Sequence, residues 1–210
     1  MSPDSEAAAR KELVRVARRL DEKGILTATD GNLSIRLGPD ALLITPSGCC
    51  KGLLEEADLV RVDGTESRGS GRASSEIALH RAIYAARADA GAVVHAHPPY
   101  ATAFAVAGLA LGRPILSEAV LALGEVPVAP YATPTREELA RSIGPFLGGR
   151  AVLLANHGAV VWDADIGRAG LLMETLEHVA RIDWLSRALG GTELDEGQVT
   201  ALRALGQSMR

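Results

Sequence analysis

The chain has 210 residues, 47% hydrophobic but only 3% aromatic, and a formal net charge of −4 at pH 7. That length suits one compact domain spanning 1–210, with an aliphatic core that needs no disulfide staple. Its acidic balance, with Arg and Lys scattered along the sequence, argues against nucleic acid or an anionic membrane as the main partner, since both want a clustered basic face.

In chain order, residues 5–23 put Leu13, Val16, Ala17 and Leu20 on one face with Arg and Lys opposite, which predicts an amphipathic helix stopped by Gly24. Two short β patterns follow, 33–37 and 41–45, split by a Gly-Pro-Asp turn, and a third strand is expected at 59–62. Residues 65–73 are polar and Gly-rich and read as a surface loop. Ser74-Ser75-Glu76 opens a helix to about Ala88 with Ser74 as its N-cap. A β-branched run from Ala92 to His97 ends at Pro98-Pro99, and a helix is expected over 100–107. Pro114, Pro127 and Pro130 forbid a long helix in 113–132. A helix over 135–147 carries a Thr135-to-Glu138 capping box. Strands at 151–155 and 159–162 flank Asn156-His157-Gly158, and helices at 165–189 and 195–205 close the chain. Strands and helices mix without regular βαβ alternation, which predicts an α+β layered fold on a mostly antiparallel sheet.

No charged leader precedes an apolar stretch, and no apolar run approaches the roughly 20 residues that span a bilayer. A soluble, cytoplasmic protein with no membrane partner is therefore expected. The two cysteines, Cys49 and Cys50, are neighbours, a poor geometry for a disulfide, and read as reduced thiols in a loop.

His95 and His97 end an apolar strand two residues apart, so their side chains share a face, with Cα atoms roughly 6–7 Å apart. Two imidazoles so placed can reach one metal ion; a lone His-x-His also suits an exposed pair at a strand edge. His157 sits at another strand end, before a glycine that tolerates a tight turn. Three histidines with an open fourth position are the catalytic zinc pattern. Glu76, in the first turn of its helix, reads either as a helix-dipole carboxylate or as a group held near the metal to move a proton. His80 follows it at i+4 and reads as a core or hydrogen-bonding histidine; His178, Trp162 and Trp184 read as structural. Gly31-Asn32, Ser47-Gly48 and Ser74-Ser75 are turns rich in small donors, ordinary alone and none of them a P-loop.

Taken in order, Gly31-Asn32-Leu33-Ser34, Thr45-Pro46-Ser47-Gly48, Ser74-Ser75-Glu76 with Leu79-His80, Ala92-Val93-Val94-His95-Ala96-His97-Pro98, Pro130-Tyr131 and Leu154-Ala155-Asn156-His157-Gly158 resemble the class II aldolase/adducin family, over about residues 8–190. The resemblance implies an α/β/α sandwich around a mainly antiparallel sheet, and a homotetramer with sites between subunits. It implies Zn2+ on His95, His97 and His157, Glu76 as acid/base, and a phosphate cradle from Gly31, Asn32, Ser47, Gly48, Ser74 and Ser75. The reaction it implies is reversible cleavage of a ketose 1-phosphate, such as a fuculose phosphate, into dihydroxyacetone phosphate and an aldehyde.

The sequence departs from the fuculose phosphate branch of that family in two places. That branch carries a tyrosine in the segment matching Leu116 to Val120, where this chain has Ser117-Glu118-Ala119-Val120, and another near its C-terminus, whereas no tyrosine follows Tyr131 here. The aldehyde end is thus expected to differ, and same-fold decarboxylases and dehydratases stay open. A 4-epimerase is disfavoured because the Asp and the late His and Tyr expected of that branch are missing. A non-catalytic, adducin-head-like module is disfavoured because all three metal histidines are present.

Overall fold

The computed structural model describes residues 3–134 and 137–208. The first helix, α1 (Pro3–Glu22), buries Leu13, Val16, Ala17 and Leu20 along the predicted stripe and stops before Gly24, whose φ of 69° is left-handed. Next come β1 (Asn32–Arg36), β2 (Ala41–Ile44), β3 (Val60–Asp63) and β4 (Glu66–Arg68), an antiparallel meander. The fourth strand corrects the expected loop at 65–73. All three of its side chains are exposed, so it lacks apolar alternation, and backbone pairing to β3 across the Gly64-Thr65 turn holds it at the sheet edge.

The helix α2 (Ile77–Ala86) leads to β5 (Ala92–Ala96) and α3 (Pro99–Ala107). A single turn of π-helix at Ala119–Leu123 and the two-residue strand β6 (Val128–Ala129) occupy the proline-rich stretch, as its prolines require. Then come α4 (Glu137–Ser142), shorter than expected and followed by a 3₁₀ turn around Pro145, β7 (Ala151–Leu154), β8 (Gly158–Asp163), α5 (Ile166–Ala188) and α6 (Glu196–Ser208). The expected capping residue Thr135 lies outside the described residues. Among the described residues eight strands run β4-β3-β2-β1-β5-β8-β7-β6, and of these pairs only β6–β7 is parallel.

Strand alternation divides the core into two layers. Leu33, Val94, Ala96, Leu153 and Val161 pack on one face against α1, α3 and α5. Val93, Val152, Val160 and Trp162 pack on the other against Leu79 and Ile83 of α2 and Leu139 of α4. The result is the expected α/β/α sandwich, with an aliphatic interior in which each fully buried Leu or Val contributes roughly 1.5–3 kcal/mol. Trp162 is the core anchor foreseen, but Trp184 is 56% exposed, its ring 5.9 Å from Tyr100, and His178 is exposed as well. The structural roles expected for those two fail because both lie on the outer side of α5, whose inner face is already filled by Leu172, Leu176 and Val179. Cys49 and Cys50 are free thiols, and no described helix is long and apolar enough to cross a membrane.

Because β5 runs antiparallel to both β1 and β8, its C-terminal end lies beside the first residues of its two neighbours: Asn32 faces His95, and Ala159 faces Ala96. That end of the sheet carries the polar residues singled out above.

Candidate active site

His95 is fully buried in β5, and its Nδ1 lies 2.9 Å from the carbonyl oxygen of Ala159 on β8. A carbonyl only accepts, so the proton sits on Nδ1 and the Nε2 lone pair points into the site, the tautomer a metal ligand needs. His97 lies just past the strand, its Nε2 3.2 Å from His95 Nε2 and its Nδ1 3.4 Å from Asp30 Oδ2. His157 follows Asn156, which takes a left-handed φ of 54° in the β7–β8 turn. The three ring centroids form a near-equilateral triangle with sides of 4.7, 4.9 and 5.0 Å.

Two glycines make this convergence possible. A Cβ on Gly158 would stand 2.5 Å from the His97 ring and 2.6 Å from the Ala96 carbonyl oxygen. One on Gly31 would stand 2.7 Å from the His95 carbonyl oxygen, at a φ of 73° that disfavours any side chain. The two neighbours of β5 thus press on its end from both sides, which fixes the backbone carrying His95 and His97.

Glu76 completes the group. It occupies the N-cap position of α2 rather than its first turn, because Ser74 Oγ accepts the Glu76 N–H at 3.3 Å and delays the helix to Ile77. Its Oε2 lies 3.3 Å from His95 Nε2 and its Oε1 3.4 Å from His157 Nε2. Burial pushes the Glu76 carboxyl up, but positive charge at the Nε2 face of His95, together with the Asn32 amide, outweighs it and holds the group well below the usual carboxylate range. Burial, reinforced by the neighbouring His95, pushes His97 down and His157 down to about 4, so both are neutral with lone pairs available at pH 7.

This donor set fits a divalent metal. The three imidazole ligand atoms lie within 4.8 Å of one another, and Glu76 Oε1 and His157 Nδ1 are buried with no hydrogen-bond partner. Bare lone pairs and a carboxylate facing each other out of water are repulsive unless a cation joins them.

The three turn clusters meet beside this group. Buried Thr45 ties them: its Oγ1 accepts from Leu33 N at 3.2 Å and its carbonyl from Ser74 N at 3.2 Å, while Ser47 N donates to Arg72 O at 2.9 Å. Lys51, only 2% exposed, donates from Nζ to the carbonyls of Thr29 and Cys49, bracing the turn before Gly31 against the turn holding Ser47 and Gly48. Ser47, Gly48 and Ser75 are exposed, whereas Gly31, Asn32 and Ser74 are buried. The Asn32 side chain donates to Glu76 Oε2 at 2.7 Å, which leaves its backbone as the part able to face a ligand. Sequence reasoning missed Asp30 and the inward roles of Asn32 and Ser34. The i,i+4 spacing of Glu76 and His80 was the signal that could have found the latter.

A layered α/β domain whose sheet end gathers three imidazoles and a carboxylate has the donor set of a metal-dependent enzyme. Residues 11–184 match the Class II Aldolase and Adducin N-terminal domain family, and the chain belongs to it. It is 32% identical to the 3-oxo-tetronate 4-phosphate decarboxylase of Cupriavidus necator, covering 95% of this chain and 96% of that protein. The 5-methylthioribulose-1-phosphate/5-deoxyribulose-1-phosphate aldolase of Rhodospirillum rubrum is 38% identical over 87% of this chain and 83% of its own length. A solved L-fuculose 1-phosphate aldolase superposes with a TM-score of 0.86 at 31% identity, covering 96% of this chain and 95% of that one. These relatives break different bonds, so family membership defines the enzyme class and the fold.

Proposed function

We propose that this chain is a zinc-dependent lyase that cleaves a short ketose 1-phosphate into dihydroxyacetone phosphate and an aldehyde. The observation that carries the reading is the Glu76 carboxylate, buried and charged, within 3.4 Å of two of three converging imidazoles. His95, His97 and His157 would hold the ion, which supplies a Lewis acid for the substrate's carbonyl and hydroxyl oxygens. In condensation the charged Glu76 carboxylate removes a proton from the dihydroxyacetone phosphate carbon. In cleavage the hydroxyl on the far carbon gives its proton to solvent, the carbon–carbon bond breaks and the aldehyde leaves an enediolate; Glu76, having taken up a solvent proton, hands it to the enediolate carbon. We assign the phosphate to the exposed turn residues Ser47, Gly48 and Ser75, with Gly31, Asn32 and Ser74 forming the buried wall behind them. Support comes from the backbone ties through Thr45 and from the Lys51 ammonium beneath the turns.

A second reading, decarboxylation of a 3-oxo acid phosphate, has specific support. The decarboxylase relative aligns nearly end to end, and the Leu116 to Val120 segment lacks a phenol. Loss of CO2 from 3-oxo-tetronate 4-phosphate yields the same enediolate and asks nothing of a proton carrier on the departing side. One experiment tests both: purified protein is offered short ketose 1-phosphates and, separately, the 3-oxo acid phosphate, and dihydroxyacetone phosphate is measured. The first reading expects it from a ketose phosphate. Product from the acid alone would transfer the assignment to decarboxylation, and product from neither would refute both.

A further inference from the structure

On the sheet face covered by α2, five polar side chains interleave. Glu76, His80 and Tyr84 recur every four residues at the start of and along α2, a step of about 6 Å. Asn32 and Ser34 recur every two along β1, a step of about 6.6–6.8 Å. The two repeats nearly match, so the side chains close like a zip. Asn32 Nδ2 donates to Glu76 Oε2 at 2.7 Å, Asn32 Oδ1 lies 2.5 Å from His80 Nε2, His80 Nδ1 lies 2.7 Å from Ser34 Oγ, and Ser34 Oγ lies 2.7 Å from the Tyr84 hydroxyl. Asn32, Ser34 and His80 are buried.

The direction of every bond is forced. A carboxylate only accepts, so Asn32 turns its amino group to Glu76 and its carbonyl to His80. His80 must then carry its proton on Nε2. Burial lowers its pKa to about 3, so the ring is neutral and Nδ1 accepts from the Ser34 hydroxyl. Ser34 Oγ in turn accepts from Tyr84. Reversing any one member would set two donors or two acceptors face to face in the interior, where an unmatched polar group is costly.

We propose that His80, locked by Ser34 and Tyr84, is a positioning residue that aims the Asn32 amide at one oxygen of Glu76 and leaves the other to move the substrate's proton. The two oxygens are already unequal: Oε2 is engaged by Asn32, while Oε1 is buried with no hydrogen-bond partner. The chain orients and does not conduct protons, because the Asn32 amide cannot pass one on without changing tautomer. This inference rests on the proton-moving role of Glu76 given above.

Two measurements test it. In the intact protein with 15N-labelled histidine, His80 should show the Nε2–H tautomer throughout pH 5–8, and an Nδ1–H tautomer overturns the chain's polarity. Deuterium exchange into dihydroxyacetone phosphate needs no aldehyde and reads the Glu76 step directly. His80→Asn keeps a polar group near Nδ1 but removes the donor to Asn32, so kcat for exchange should fall roughly 10- to 100-fold with KM and metal content unchanged. His80→Gln returns an N–H close to the Nε2 position and should recover most of that loss. His80→Asn at the wild-type kcat, or His80→Gln no better than His80→Asn, overturns the positioning role. A wild-type protein silent in exchange would sink the lyase reading instead, and the tautomer alone would then decide the chain.

Discussion

The two ends of β7 present opposite designs. Past its C-terminal end, His157 enters a cluster whose backbone is fixed by Gly31 and Gly158 and whose carboxylate is held from behind by Asn32. At its N-terminal end, Arg150 donates to the carbonyl of Ala122 at 2.6 Å, placing the Ala119–Leu123 turn there, with Ser117 and Glu118 exposed just before it. Within one chain, then, the 116–120 segment sits at the far end of the sheet from its own histidines. On the proposed reading, the half of the reaction that activates a carbonyl and moves a proton would be assembled by a single chain, and the half that receives the departing fragment would come from solvent or a second copy.

The comparison is broken most directly at the histidine end. Stripping divalent metal with a chelator should abolish both deuterium exchange into dihydroxyacetone phosphate and its release from substrate, and added zinc should restore both. Activity surviving in metal-free protein, checked by elemental analysis, would remove the basis for that half. Next in size is Glu76→Gln, which keeps the shape and the Asn32 contact but cannot carry a proton. Metal content should hold while exchange falls by roughly 10²- to 10⁴-fold. Full exchange in that variant would assign the proton to another group.

The histidine end was also the more legible part of the sequence, for physical reasons. Strand alternation put His95 and His97 on one face, and an apolar strand followed by Asn-His-Gly marked the turn that carries His157. The strand and helix order followed from apolar periodicity and the antiparallel sheet from the lack of βαβ alternation, whereas the three layers came from the family resemblance. Periodicity says nothing where backbone alone pairs, so β4, with Glu66, Ser67 and Arg68 all exposed, read as a loop. It is also blind to direction: Trp184 and His178 lie on a long helix whose apolar content gave no hint that they face outward. Asn32 read as a turn residue fit for phosphate because its other role needs α2 laid over β1, a tertiary match between a four-residue and a two-residue repeat.

A third, smaller effect probes how dry the histidine end is. Burial and the nearby His95 lower His80 from 6.5 to about 3. Between those values the unfolded chain binds a proton that the folded chain refuses, so stability is retained above pH 6.5 and falls as pH falls through the window. A single such group contributes a slope of up to about 1.4 kcal/mol per pH unit. Metal-free His80→Gln should lose that contribution, giving a flatter curve of unfolding free energy against pH between 6 and 4 by denaturant titration. An unchanged slope would mean that water reaches His80 and the ring charges in place.

The smallest effect sharpens the other end. Glu118 is the one ionisable side chain in the segment where related enzymes of the fuculose phosphate branch carry a phenol, and it is exposed. If a second copy brings this segment to the site, Glu118 can take the proton from the departing hydroxyl, although water can do so almost as well at an exposed position. Glu118→Gln should therefore leave deuterium exchange untouched and lower aldol cleavage by only about tenfold or less, below the roughly 10²-fold at which general-base effects usually begin. Cleavage that is insensitive to the substitution, alongside turnover of the 3-oxo acid phosphate, would show that the departing fragment needs no proton carrier. The far end of β7 would then have changed its task from handling an aldehyde to releasing CO2, with every residue at the histidine end unchanged.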